Sequence, residues 1–255
     1  MAMAAITAAT ASTMSTDGRS RRIAAGLSVA AGLLLVALAL PRAAAYGMIA
    51  ADGGIAQAAM RAQKPLSADR LLAARDRYSA AHSLHPSDGN IALDLGRLDL
   101  RHAHAAGDRD GMAAAEAEMR DAAASMPNNT FVWTELARTA LLRDAPAERA
   151  SAYLRLSWLT GRFERSAMRV RPAVALAYWD SLSADLQRMT RQDIERMWED
   201  RTLRRQLRLL YLSLDYPERV RFLDVAFGEK EKRNAFFRYT LWKAGLTKEL
   251  ERLPR

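Results

Sequence analysis

Ala74, Tyr78, Ala81 and Pro86 recur forty-one residues later as Ala115, Met119, Ala122 and Pro127, and Leu95-Gly96 recurs as Leu136-Ala137. The gaps of four, three and five put two small residues and one bulky apolar residue on a single helical stripe, with a proline where the helix must stop. Self-similarity at a fixed period marks stacked units, each too small to bury its apolar face alone. Nine residues past each proline comes a leucine followed by a small residue, and six past the second comes Trp133. An opposing helix therefore starts within about one turn, and the unit is a helix-turn-helix.

A Trp and Leu-Gly on one helix, followed by Ala, an aromatic, Ala and Pro on the other, resembles the tetratricopeptide repeat. The resemblance runs from Leu66 to about Phe163. The period is 41 where that family uses about 34, and Ala105 to Gly111 is expected to be an enlarged turn holding the extra residues. Ala92 stands where the family has Trp. A third copy keeps Ala150, Leu154 and Ser157, but Thr160-Gly161 precede an arginine where proline is expected. The resemblance implies an α-solenoid with Ala74, Tyr78, Ala81, Pro86, Leu95, Gly96, Ala115, Met119, Ala122, Pro127, Trp133 and Leu136 at its packing positions.

The remainder of the chain agrees with an all-α fold. Half of its 255 residues are apolar, enough for a sizeable core, and no long run alternates apolar with polar residues. The formal charge of +9, from 38 basic and 29 acidic residues, suits an anionic partner such as nucleic acid, lipid headgroups or acidic glycan, or is simply surface cation spelled as arginine. The absence of cysteine excludes disulfides, thiolate metal ligands and a cysteine nucleophile.

Ile23 to Leu40 carries no charge, and at 1.5 Å per residue it spans about 27 Å, close to a bilayer's hydrocarbon core. Arg19, Arg21 and Arg22 precede it and Arg42 follows, so the positive-inside bias puts the N-terminus in the cytoplasm and the rest in the periplasm of a bacterial inner membrane. The alternative is a signal peptide cut near Ala45, after Ala43-Ala44-Ala45 and before Tyr46. A transit peptide fits the apolar core less well. The expected layout is a disordered tail at 1–18, a transmembrane anchor at 19–42, a tether at 43–65 with one helical turn around Ile55 to Met60, repeats at 66–163 and a helical region at 164–255.

In that last region Ser183 is placed as the N-cap of a helix through Leu186, Met189, Ile194 and Met197. Leu203, Leu207, Leu210 and Leu214 make a clean stripe. Asp215 to Glu218 restarts the chain with Pro217 in a first turn, and Val220, Leu223, Phe227, Phe237, Leu241 and Ala244 are expected to face inward. The run Leu154 to Gly161, followed by Arg169, Pro172 and Ala177-Tyr178-Trp179-Asp180, resembles anchored accessory proteins of alphaproteobacterial O-antigen and exopolysaccharide polymerase loci. That resemblance implies a pathway and transfers no catalytic residue.

Nothing in the chain reads as an active site. His82 and His85, like His102 and His104, lack the further ligands a metal needs. Glu116 with Glu118, and Glu199 with Asp200, read as solvated faces beside arginines. Arg201, Arg204 and Arg208 are placed on one stripe, and Arg162, Arg165, Arg169 and Arg171 crowd the Gly161 break, as a possible anion-binding surface or an ordinary wet face. No cofactor, nucleic acid or small-molecule substrate is expected. The sequence points to a non-catalytic, single-pass scaffold whose partner is a multi-span inner-membrane protein of envelope polysaccharide assembly. The alternative is a periplasmic chaperone-like or translocon-associated repeat protein.

Overall fold

The computed structural model describes residues 2–51, 54–56, 58, 66–228, 230–247 and 251, with side chains from residue 23 onward. Among the described residues the protein is all-α, with eleven α-helices, two single 3-10 turns and no strand.

Helix α1 (Ala2–Ala50) takes in the segment expected to be a disordered tail, in keeping with the high helix propensity of its many alanines. Its part from Ile23 to Ala50 is long and apolar enough to cross a membrane, and no part of its most apolar stretch is covered by the rest of the protein. Pro41 lies inside the helix and has no amide to give the carbonyl of Ala37. The expected tether begins later than residue 43, because the helix runs on to Ala50. The cause is a short apolar stripe: Ala45, fully buried, and Ile49, four residues on, pack against Leu71, Ala74 and Tyr78. Of the expected turn, Ile55, Ala56 and Ala58 are helical, while Met60 and the rest of the tether through Pro65 lie outside the described residues.

Five helices follow: α2 (Ala68–Leu84), α3 (Gly89–Ala106), α4 (Arg109–Ser125), α5 (Thr130–Leu142) and α6 (Ala147–Thr160). Two glycines define how α3 meets α4. A Cβ on Gly89 would lie 2.7 Å from Met126 Cγ, and one on Gly96 would lie 2.8 Å from Met119 Cγ and 3.2 Å from the Ala115 carbonyl oxygen. Seven residues forward on α3 is seven back on α4, so the two are antiparallel. Their backbones approach closely because the Leu-Gly position has no side chain.

The enlarged turn expected at Ala105 to Gly111 is instead tight. Helix α3 continues to Ala106, Gly107 caps it in the left-handed region at φ 68°, and Asp108 starts α4 by accepting from the Gly111 amide at 2.9 Å. The extra residues lengthen both helices, because Gly at C′ and Asp at the N-cap compress the reversal. Asp88 and Asn129 start α3 and α5 in the same way, accepting from Asn90 N at 3.0 Å and Phe131 N at 2.9 Å.

Beyond Gly161 come a 3-10 turn (Ala167–Arg169), α7 (Arg171–Ala177), a second 3-10 turn (Trp179–Ser181), α8 (Ala184–Glu199), α9 (Arg204–Ser213), α10 (Tyr216–Phe227) and α11 (Glu231–Lys243). One apolar cluster joins Ala137, Ala140, Leu154 and Trp158 to Val174 and Leu186, so the packing has no gap at residues 163–164. Leu203, Leu207, Leu210 and Leu214 are all buried, as expected, as are Leu223, Phe227, Phe237 and Leu241. Around them Tyr211, Phe222, Phe227 and Phe237 meet edge-on or tilted, with ring centroids 5.2 to 6.1 Å apart.

Asp215 and Glu218 form a reciprocal capping box at the start of α10. Two inward assignments are corrected: Val220 is only half-buried, and Ala244 is exposed as the C-cap of α11. Ser183 stands at the N-cap of α8 as expected, with its hydroxyl accepting from Arg155 Nη2 at 3.2 Å and making no cap bond.

Candidate binding groove

The hairpins enclose an open groove of about 790 Å³. Helices α3 and α5 form its floor, through Asn90, Asp94 and Arg97 on one and Phe131, Thr134 and Glu135 on the other. One wall is the end of α1 itself, Tyr46, Ile49 and Ala50; the opposite wall is Ser166, Arg169 and Val170 after the Gly161 break. The joint at α1 is polar as well as apolar. The Tyr46 hydroxyl donates to Asp88 Oδ2 at 2.9 Å. Burial works against the Asp88 charge, but bonds from Tyr46, Asn90 and Ile91 hold the carboxyl below the usual carboxylate range.

A charge ladder crosses the floor. Arg97 bonds Asp94 at 3.1 Å on its own helix and Glu135 at 3.0 Å on α5, and Arg138 bonds Glu135 at 2.8 Å. Burial opposes ionisation of Glu135, yet the Arg138 and Arg97 guanidiniums pull its carboxyl down to about 2. The charged residues of the floor are thus paired with one another across α3 and α5. Phe131 is exposed at the mouth, and Arg169 lines the far wall without an ion pair among the described residues. Among the described residues no cluster of three metal-ligating side chains forms.

Behind the far wall is a polar knot the sequence did not disclose. Arg171, one of the arginines that crowd the Gly161 break, is fully buried. It donates through Nε to Ser157 Oγ at 2.9 Å and through Nη2 to the carbonyls of Ser157 at 3.1 Å and Gly161 at 2.6 Å. These are end carbonyls of α6, which has no proline stop and leaves them unpaired within the helix. Asp193 on α8 faces Arg171 at 3.5 Å and accepts from the Trp158 indole at 2.8 Å. Burial pushes its carboxyl up to about 6, against the pull of Arg171 and Trp158. Ser157, expected only as a small packing residue, shares a 2.6 Å hydroxyl contact with Thr134 of the groove floor.

Of the expected packing residues, Ala74, Tyr78, Ala81, Leu95, Gly96, Ala115, Met119, Ala122 and Leu136 are buried. Pro86 and Pro127 are exposed in the turns, where they stop α2 and α4 without packing. Trp133 is half-buried, donating to the Pro127 carbonyl at 2.7 Å and stacking on Tyr153.

The arginine stripe does not form. Arg201 is exposed in the turn before α9, and Arg204 is turned back to donate to the Trp198 carbonyl at 2.7 Å with its guanidinium over that indole. It caps the end of α8, leaving Arg208 half-buried further along. Glu116, expected on a wet face, is wholly buried and bonded by Arg143 and by Tyr153 at 3.0 Å, with the Arg149 guanidinium facing it at 3.8 Å. Its neighbour Glu118 lies beside Asp99; burial first and the Asp99 charge second push it up to about 7. His104 is exposed, His82 and His102 are half-buried, and His85 is the C-cap of α2.

The groove left a trace in the sequence. Asp94 and Arg97 recur as Glu135 and Arg138 at the same forty-one-residue interval as the packing residues. Comparison with protein-family models finds no match, and comparison with curated proteins finds none either.

Proposed function

We propose that this chain is a non-catalytic docking scaffold, held in the membrane by α1, whose groove binds a segment of a protein partner. The observation that carries the reading is that the end of α1 is one wall of the groove. Whatever enters is held against the membrane helix, which suits a partner embedded in the same bilayer. The arginines flanking Ile23 to Leu40 favour a cytoplasmic N-terminus with the hairpins in the periplasm. The resemblance of Leu154 to Asp180 to accessory proteins of polysaccharide polymerase loci supports envelope polysaccharide assembly as the pathway and a multi-span inner-membrane protein as the partner. Trp158, Gly161 and Arg169 of that stretch all belong to the far wall or the knot behind it.

Photo-crosslinking from the membranes of cells making the full chain tests this. A crosslinker at Phe131 is expected to capture a multi-span membrane protein, and one at exposed Arg188 is not. Equal capture from both positions, or none from Phe131, would overturn the groove as the docking site. Deleting the gene is expected to shorten or abolish a surface polysaccharide while sugar-precursor synthesis continues, and a periplasm-only reporter fused after residue 60 is expected to be active.

A further inference from the structure

Helix α11 presents two faces of opposite character. Phe237 and Leu241 are buried in the aromatic cluster, whereas Phe236, Tyr239 and Trp242 are 47%, 52% and 56% exposed. At about 100° per residue the three exposed rings fall within an arc of about 120°, centred opposite the midpoint of Phe237 and Leu241. Lys232 and Lys243, both exposed, fall inside the same arc, and neither has an ion pair among the described residues. Among the described residues at this end, Lys230 and Arg233 both bond Glu195, and Arg238 donates to Asn234 Oδ1 at 3.2 Å. The only acid in the helix is Glu231 in its first turn. Tyr239 and Trp242 stack with centroids 5.9 Å apart, and Phe236 sets its edge on Trp198 at 5.9 Å.

Exposed rings cost free energy in water, and this arrangement has a solvent to match. Tyr and Trp are stable at headgroup depth, where the ring body is apolar and its polar tip wet. Lysines beside them reach lipid phosphates while their stems lie along the apolar boundary. The charge on the face is positive, complementary to an anionic bilayer. The bilayer is also already at hand, because α1 keeps it at high effective concentration.

We propose that the Phe236–Tyr239–Trp242 face of α11 lies on the surface of the membrane that α1 spans, with Lys232 and Lys243 on anionic lipid headgroups. The far end of the helical stack then has its own membrane contact, and the groove between the two contacts is held along the bilayer. The assignment rests on α1 lying in a bilayer and not on what the groove binds.

The full chain reconstituted into phosphatidylcholine vesicles, with and without about 30 mol % phosphatidylglycerol, gives the test. Helix α1 contains no tryptophan, so quenching of tryptophan emission by bromine-labelled lipid reads the folded part and not the anchor. Quenching is expected in the anionic vesicles, weak in neutral ones and largely lost in Trp242→Phe. Lys232→Gln with Lys243→Gln is expected to weaken docking about twenty-five-fold, about fivefold per cation, with near-ultraviolet circular dichroism unchanged. Equal quenching in Trp242→Phe and the parent, or in neutral and anionic vesicles, overturns the proposal. So does protection of Trp242 only when a co-purified protein is retained, which would make the face a protein contact. Retention of the chain in the membrane pellet after alkaline carbonate reports on α1 separately.

Discussion

Arg97 on α3 donates to Glu135 on α5 across 3.0 Å, and each also closes a pair on its own helix, with Asp94 at 3.1 Å and Arg138 at 2.8 Å. The two floor helices of the groove are therefore joined by charge as well as by apolar packing. Both acids and both arginines are separated by forty-one residues, so the strut is built from the same periodicity as the hairpins.

Replacing Glu135 by Gln leaves two guanidiniums facing a neutral amide. Removing one partner of a buried pair costs about 3 to 5 kcal/mol; the arginines here are partly wet, which reduces the expected loss to about 2 kcal/mol. The pH dependence has a definite sign. With the folded carboxyl held at about 2, the stabilisation is present above the unfolded value near 4.5 and is lost as pH falls from there towards 2. Denaturant titrations across that window should show a flatter acid limb for Glu135→Gln than for the parent. Parallel limbs would mean the strut carries no charge-dependent stability.

Close helix contact is the second expectation. A methyl on Gly96 would meet the Ala115 carbonyl oxygen at 3.2 Å and Met119 Cγ at 2.8 Å, and the backbone atom cannot swing aside. Gly96→Ala and Ala122→Leu should each cost about 1 to 3 kcal/mol by overpacking, against less than about 0.5 kcal/mol for exposed Arg188→Ala. A melting temperature for Gly96→Ala equal to the parent's would show that α3 and α4 stand further apart.

The helices and their packing stripe were legible because small and bulky residues repeat at helical spacing, and burial follows that spacing directly. The charged side chains were not, because their roles depend on neighbours far away in the chain. Glu116 is buried through Arg143 and Tyr153, twenty-seven and thirty-seven positions on. Arg171 is buried through Ser157 behind it and Asp193 ahead of it. The groove floor was legible in principle, since acid-x-x-Arg recurs with the packing residues. The wall made by Tyr46 and Ile49 was hidden by the alanines and glycine around it, which read equally as a linker.

Glu118 gives a pH effect of opposite sign. Its folded carboxyl, raised to about 7 beside Asp99, favours the folded state fully below the unfolded value near 4.5, and that contribution is lost as pH rises from there through 7. Glu118→Gln should then be close to neutral at pH 4.5 and stabilising at pH 8. The site is half open to solvent, so screening limits the gain to about 1 kcal/mol. A variant no more stable than the parent at pH 8 would show that burial and the Asp99 charge do not raise the Glu118 carboxyl in the folded state.

Continuity between anchor and fold is open to a direct test at Arg42, an exposed residue within α1 that precedes the buried Ala45. Proteases cut backbone that is free to extend, so a flexible tether would be cleaved there as readily as an open loop. Because Ala45 and Ile49 dock the helix on α2 and Tyr46 bonds Asp88, trypsin should spare Arg42 in the detergent-solubilised full chain. Ala45→Asp puts a charge into a fully buried position, which should undock the segment and make Arg42 cleavable while α2 to α6 keep their helical signal. Rapid cleavage at Arg42 in the parent would return residues 43–50 to the role of a tether and remove one wall of the groove.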